Sequence, residues 1–158
     1  VLRDLAAKEG AFAYEYTGYL ANIHSVESYY QANKDMLESH KFYSLFTPNQ
    51  KIYTKVKNEE PTYYANTSKV GTSQFASGSI IEGQVANSVL SRNIHVHKDS
   101  LVKDSILFPR VVIGEGAQVE YAILDKGVEV ADGVVIRGTA EHPVVVKKGA
   151  KVTEDIHS

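Results

Sequence analysis

The chain contains no cysteine and no tryptophan, and it has one methionine among its 158 residues. The lack of cysteine excludes disulfides and thiolate chemistry and is compatible with a reducing compartment. No apolar run approaches the roughly 20 residues that span a bilayer, and no signal-peptide pattern opens the chain. The formal net charge is only −2, with lysine and arginine dispersed. We therefore expect a cytoplasmic protein with neither a membrane nor a nucleic-acid partner.

The second half of the chain repeats every 17 residues. Three copies open at Ser88-Val89-Leu90, Ser105-Ile106-Leu107 and Ala122-Ile123-Leu124. A fixed short period is the signature of a solenoid, and steps of five or six between apolar positions are typical of a left-handed parallel β-helix with three short strands per coil. We predict a mainly β protein whose β-helix covers residues 61–158. Its main apolar positions are Val96, Val102, Leu107, Ile113, Val119, Leu124, Val130 and Ile136.

Glycine and proline mark the expected corners between strands. The runs Ile113–Gly116 and Ala131–Gly133 carry glycine where a turn needs a positive φ. Pro109 interrupts one coil, which fits a corner better than the centre of a strand.

The first sixty residues show a different periodicity. Helical spacing ends at Gly10, the next five residues alternate as in a strand, and a second helix is expected after Ser25 as N-cap. About forty residues are too few for a core of their own. We therefore predict that residues 1–45 are the last part of a larger α/β domain and residues 46–60 a connector. A chain that begins inside a helix indicates a segment of a longer protein. The apolar positions behind these predictions are Leu2, Leu5, Ala6, Phe12, Tyr14, Tyr16, Val26, Tyr29, Tyr30, Met36 and Leu37.

Residues 18–33 resemble a motif of the sugar-phosphate nucleotidyltransferases. The motif reads roughly G-Y-W-x-D-[VI]-G-T followed by a helix with S-[YL]-[YW]-x-A-N, and here the chain reads GYLANIHS and then VESYYQAN. With the β-helix that follows, the chain looks most like glucose-1-phosphate adenylyltransferase. That resemblance implies a parent enzyme that joins glucose 1-phosphate and ATP into ADP-glucose and pyrophosphate with Mg²⁺. It also implies an oligomer, either with a catalytic subunit of the same family or with copies of itself.

Three motif positions depart from the pattern of catalytic members. The metal-binding aspartate is Asn22, the glycine is His24 and the tryptophan is Leu20. A neutral amide oxygen is a weaker ligand for Mg²⁺ than a carboxylate. The resemblance thus implies a regulatory, GlgD-type subunit with no catalytic residue and no bound cofactor or metal in this segment. An alternative is the C-terminal part of an active sugar-phosphate nucleotidyltransferase. An acyltransferase of the hexapeptide-repeat type is a further alternative, although such enzymes usually extrude a loop from a coil.

Two further candidates come from the repeat itself. Lys126 stands in a run that is similar to one serving an anionic effector in some members of that family, so it is our candidate effector-binding residue. His95 and His97 lie on the same outward side of one strand and could ligate a metal. Only Glu129, two coils further on, offers a third ligand, and a solvated surface is the simpler interpretation.

Overall fold

The computed structural model describes residues 12–47, 52–55 and 57–158. It contains helix α1, Val26–Asp35, and helix α2, Ser39–Leu45. Ser25 caps α1 as predicted: its Oγ accepts a hydrogen bond from the Ser28 backbone N–H at 3.1 Å, and the Ser28 Oγ accepts one from the Ser25 N–H at 2.9 Å. The helix predicted before Gly10 lies outside the described residues, and α2 was not predicted.

The alternating segment after that point forms no strand, so the strand predicted there is wrong. Phe12 is 98% exposed and Tyr14 is 90% exposed. A strand needs a neighbour that accepts and donates its backbone hydrogen bonds. None of the described strands pairs with this segment.

Seventeen short strands form three parallel sheets around a common core, which confirms the predicted parallel β-helix. Sheet A consists of β1 (Tyr63–Tyr64), β4 (Ile80–Ile81), β7 (His95–Val96), β10 (Val112–Ile113), β13 (Glu129–Val130) and β16 (Lys151–Val152). Sheet B consists of β2 (Lys69–Val70), β5 (Gln84–Ala86), β8 (Leu101–Lys103), β11 (Gln118–Glu120), β14 (Val135–Arg137) and β17 (Ile156–His157). Sheet C consists of β3 (Gln74–Phe75), β6 (Val89–Leu90), β9 (Ile106–Leu107), β12 (Ala122–Leu124) and β15 (Val144–Val146).

The core runs along the axis of the solenoid. Every apolar position predicted from the repeat is buried, and most have no accessible surface. Residues of equal rank stack on one another from coil to coil, as Leu90, Leu107 and Leu124 do in sheet C. The register confirms a step of 17 residues from His95 to Val112 and on to Glu129. The coil before His95 is shorter, since His95 pairs with Ile80, and the coil after Glu129 is longer, since Glu129 pairs with Lys151.

Left-handed backbone conformations recur at the corners. The C–A corner has Gly78, Asn93, Arg110, Gly127 and Gly149 at positive φ; the A–B corner has Asp99, Gly116 and Gly133; the B–C corner has Asn87, Asp104 and Tyr121. Pro109 stands next to Arg110 in a C–A corner, as predicted. Gly114 has no positive φ, but a Cβ there would come within 2.6 Å of the Asp132 backbone nitrogen in the next coil.

The serines that open the repeats form a ladder along the B–C corner. The Oγ of Ser88 accepts from the Ser105 N–H, and the Oγ of Ser105 accepts from the Ala122 N–H, both at 3.1 Å. Ser73 does the same for the Ser88 N–H. Each hydroxyl therefore satisfies a buried backbone donor that the strands cannot reach.

Among the described residues, no helix has the length and apolar character to cross a membrane.

Candidate regulatory site at the junction of helix and solenoid

Helix α1 packs on the outer face of sheet C. Tyr30 is only 3% exposed and lies in an apolar cluster with Ile106 and Ile123. Tyr29 stacks on Phe108, with ring centroids 6.3 Å apart. These contacts exclude water from one side of the helix and hold the preceding motif segment against the solenoid.

Four polar residues fasten the helix to the B–C corner, and we call Tyr30, Lys34, Asn87 and Asp104 the helix anchor. The Tyr30 hydroxyl donates to the Asp104 carbonyl oxygen at 2.6 Å. The Lys34 ammonium group lies 2.8 Å from Asp104 Oδ1, with the two side chains 13% and 9% exposed. The Asn87 amide also donates to Asp104 Oδ1, and Lys34 donates to the Asn87 carbonyl oxygen. Every polar group of the anchor is thus paired, as burial requires.

The corner conformation creates these acceptors. Asn87 and Asp104 have φ values of 51° and 48°, a region that Asn and Asp adopt more readily than most residues. They occupy the same position in successive coils, because the Asp104 N–H donates to the Ala86 carbonyl oxygen. The repeat therefore places an amide and a carboxylate side by side under one turn of α1.

An open cleft of about 690 Å³ lies beside the helix anchor. It is lined on the helix side by Gln31, Lys34 and Glu38, and on the solenoid side by Thr72 and Asp104. A ligand in this cleft would contact both the helix and the coils. The cleft is thus placed to couple the two parts.

Burial raises the pKa of Tyr30 far above its ordinary value, and the nearby Asp104 adds to the effect. A raised folded-state pKa stabilises the fold while the phenol is neutral in both states, and that contribution is lost as pH rises above about 10. Tyr30→Phe should therefore lower the free energy of unfolding at pH 7 by about 1 kcal/mol, the value of the lost hydrogen bond. The decline in stability above about pH 10 should become shallower.

Urea unfolding at neutral and alkaline pH measures both effects. Tyr53→Phe is the control, because Tyr53 is 93% exposed and the substitution should change neither quantity. An unchanged alkaline profile in Tyr30→Phe would contradict the role of the buried hydroxyl.

The predicted motif residues lie just before α1. Asn22 and His24 are both exposed. The Asn22 carbonyl oxygen lies 3.2 Å from His24 Nδ1, and the His24 N–H donates to Ser28 Oγ at 3.0 Å. His24 therefore belongs to the N-terminal cap of α1, and Asn22 is bound to that cap. Neither residue is brought to Lys126.

Lys126 lies at a C–A corner and is exposed. The corner hydrogen bonds place it in one row with Arg92 and Lys148, since the Gly149 N–H donates to the Lys126 carbonyl oxygen and the Arg110 N–H to that of Arg92. We call Arg92, Arg110, Lys126 and Lys148 the basic corner. Of these, Arg92 already pairs with Glu59 at 3.4 Å.

The histidine pair acquires a third ligand from a residue that the sequence reasoning missed. Glu129 pairs with Lys151 at 3.0 Å instead of approaching the histidines. Glu82 approaches them from the preceding coil, with its Oε2 at 3.0 Å from His95 Nε2. The hydrogen bond from His95 lowers the pKa of the Glu82 carboxyl. The 15-residue coil explains the miss, because a search at the 17-residue step reaches Ile80 from His97.

Comparison with known proteins agrees with this architecture. Residues 55–155 match the model of the GlmU-like, C-terminal hexapeptide family. The chain belongs to this hexapeptide family.

Two kinds of relative extend the hexapeptide match toward the N-terminus. The chain is 42% identical over 136 residues to the glycogen biosynthesis protein GlgD of Bacillus subtilis (strain 168), covering 86% of this chain and 40% of that protein. It is 36% identical over 125 residues to the glucose-1-phosphate adenylyltransferase of Bacillus mycoides (strain KBAB4), covering 79% of this chain and 33% of that one. The relative from Bacillus cytotoxicus gives the same 36%. The chain thus spans 40% or less of these relatives, and the resemblance predicted from residues 18–33 is confirmed.

Hexapeptide coils alone do not indicate the helix anchor. Tyr30 and Lys34 are on a predicted helix, but their partner Asp104 is 74 and 70 residues away. The available signal is a polar residue at the B–C corner of each coil next to the serine ladder.

Proposed function

We propose that this chain is the C-terminal part of a non-catalytic regulatory subunit in glycogen biosynthesis. The similarity to proteins named for glycogen biosynthesis and for glucose-1-phosphate adenylyltransferase supports the pathway. The donor set around Asn22 carries the non-catalytic part of the proposal. In the parent reaction, ATP and glucose 1-phosphate would be bound by an associated catalytic subunit of the same family.

The residues at the motif do not fit a Mg²⁺ ion. Asn22 offers a neutral amide, and its backbone carbonyl is already beside the His24 ring. Mg²⁺ is usually held by one or two carboxylates together with substrate phosphates. The described residues contain one cluster that could hold a metal, and it lies in the solenoid, not at Asn22. We therefore assign no catalytic step to this segment.

Helix α1 gives the solenoid a route to the motif. Its N-cap, Ser25, directly follows the motif residues, and its middle is fastened to the coils through Tyr30 and Lys34. A displacement of the B–C corner would therefore move the motif segment. Regulation requires such a coupling between two separate sites.

The basic corner is the proposed site for an anionic effector. Lys126 and Lys148 come from successive coils and are held in one row by the backbone ladder. Several converging cations bind phosphate or carboxylate better than one lysine does. The neighbouring Asp125 acts electrostatically on Tyr29 of α1, so charge bound at this corner is felt by the helix.

The first coil provides an apolar surface for assembly with a catalytic subunit or a second copy. Tyr63, Tyr64, Val70 and Ile80 are exposed large apolar residues at this end of the solenoid. The first strands of the described sheets also leave one edge unpaired. Exposed apolar residues beside an open edge are typical of an interface.

The test uses the full-length protein with and without a catalytic homologue. Alone, it should make little ADP-glucose at saturating ATP, glucose 1-phosphate and Mg²⁺. Mixed with the catalytic protein, it should co-purify and change the activity or effector response. Robust synthesis by the full-length protein alone would overturn the proposal and favour the active nucleotidyltransferase.

Two variants test the parts of the proposal separately. Asn22→Asp restores the carboxylate and should increase Mg²⁺ binding by the full-length protein. Lys126→Ala should weaken the effector response of the mixture. Lys69→Ala, on sheet B, removes a lysine away from the basic corner and should leave that response unchanged.

A further inference from the structure

The geometry points to a divalent-metal site on the outer face of sheet A, formed by Glu82, His95 and His97 and suited to Zn²⁺. One ligand atom from each residue lies within 4.8 Å of the others. This site is separate from the helix anchor and the basic corner. The inference goes beyond the proposed function and does not depend on it.

The fold places the three side chains together. His95 and His97 flank Val96, which is fully buried, so both imidazoles lie on the outside of the same strand. Glu82 is level with His97 in the coil before, because Ile81 pairs with Val96. Its own N–H donates to the Val96 carbonyl oxygen at 2.8 Å. The site is thus built on hydrogen-bonded strand ends, which fix ligand positions better than a free loop.

The distances fit a tetrahedral ion. Glu82 Oε2 lies 3.0 Å from His95 Nε2 and 3.7 Å from His97 Nδ1. Metal–ligand bonds of 2.0–2.1 Å in a tetrahedral zinc site separate neighbouring ligand atoms by about 3.3 Å. The two observed distances lie on either side of that value. Small rotations of the side chains would therefore complete the coordination.

A metal ion accounts for the arrangement better than an ion pair. A hydrogen bond between Glu82 and His95 explains the shorter contact, but 3.7 Å to His97 Nδ1 is too long for a hydrogen bond. The two rings are stacked with centroids 3.7 Å apart, an arrangement unfavourable for two protonated imidazoles. A cation between the carboxylate and both nitrogens uses all three groups.

The chemistry of the ligands selects the metal class. Two neutral imidazoles and one carboxylate carry a single negative charge, and imidazole suits zinc, copper and nickel rather than magnesium or calcium. The three side chains are 24–38% exposed. A fourth position is therefore open to water. Lys98 lies close enough to lower the pKa of Glu82, and its positive charge opposes the ion.

Titration of the full chain with ZnCl₂ by isothermal calorimetry tests the site. We expect one ion per chain with an affinity in the micromolar range, and Co²⁺ should give the intense visible absorption of a tetrahedral site. Binding should weaken in acid, because the ligands must be deprotonated. Absence of binding at millimolar Zn²⁺ would overturn the inference.

Single substitutions locate the ion. Losing a residue that merely supports a ligand costs roughly 10–100-fold in metal affinity, so Glu82→Gln and His97→Gln should each cost at least that. Both side chains are partly exposed, and circular dichroism will show whether the fold is retained. His142→Gln, an exposed histidine outside the cluster, is the control. Equal affinity in both ligand variants and the control would place the ion elsewhere and reject the site.

Discussion

Leu107→Ala is expected to lower the free energy of unfolding by about 3–5 kcal/mol. Leu107 has no accessible surface and stacks between Leu90 and Leu124 in the middle coils. Removing three carbon atoms leaves a cavity that three hydrogen-bonded sheets prevent from closing. Chemical denaturation measures the change as a lower midpoint with an unaltered slope.

Leu101→Ala provides a matched control for that substitution. Leu101 belongs to the neighbouring strand β8, but it points outward and is only partly buried. The same chemical change there should cost much less, about 1 kcal/mol. Similar losses at Leu101 and Leu107 would contradict the central position of the Leu107 stack.

Asp104→Ala should lower the free energy of unfolding by about 3 kcal/mol and release α1 from the solenoid. The substitution leaves the Lys34 ammonium group buried without its carboxylate, which is far more costly than the pair itself is favourable. It also removes the acceptor for the Asn87 amide. Denaturation and hydrogen exchange of the α1 amides would measure the two effects.

Asp99→Ala separates the ion pair from the backbone. Asp99 has a φ of 58°, close to the 48° of Asp104, but is exposed at an A–B corner. Its alanine variant therefore measures the cost of a left-handed alanine alone. Adding Lys34→Met to Asp104→Ala should recover part of the lost stability, because the unpaired charge is removed. Equal effects of Asp99→Ala and Asp104→Ala would refute the anchor.

The repeat predicts the core of this protein well because a solenoid converts local order into long-range contacts. Once the step of 17 is known, the burial of Val102, Leu107 and Ile113 follows from their rank in the coil. Ser25 is equally readable, since an N-cap depends on residues three positions away. The strand predicted near Phe12 fails because alternation does not supply a pairing partner.

The candidate sites depend on what the regular repeat conceals. Glu82 joins His95 and His97 only because one coil is shorter than the rest, so a search at constant step cannot find it. Asp104 resembles an ordinary corner residue until Tyr30 and Lys34 are placed above it. Lys126 was predicted by resemblance, but its row with Arg92 and Lys148 appears only in the corner hydrogen bonds.

The unequal coils have a consequence for insertions and deletions. Between Glu129 and Lys151 the chain takes 22 residues instead of 17, yet both remain paired and Val130 and Val152 remain inside. The extra residues are confined to one corner, close enough for His142 to influence Glu27 of α1. Such corners can change in length while every inward side chain keeps its place. The same change inside a strand would turn the following residues inside out.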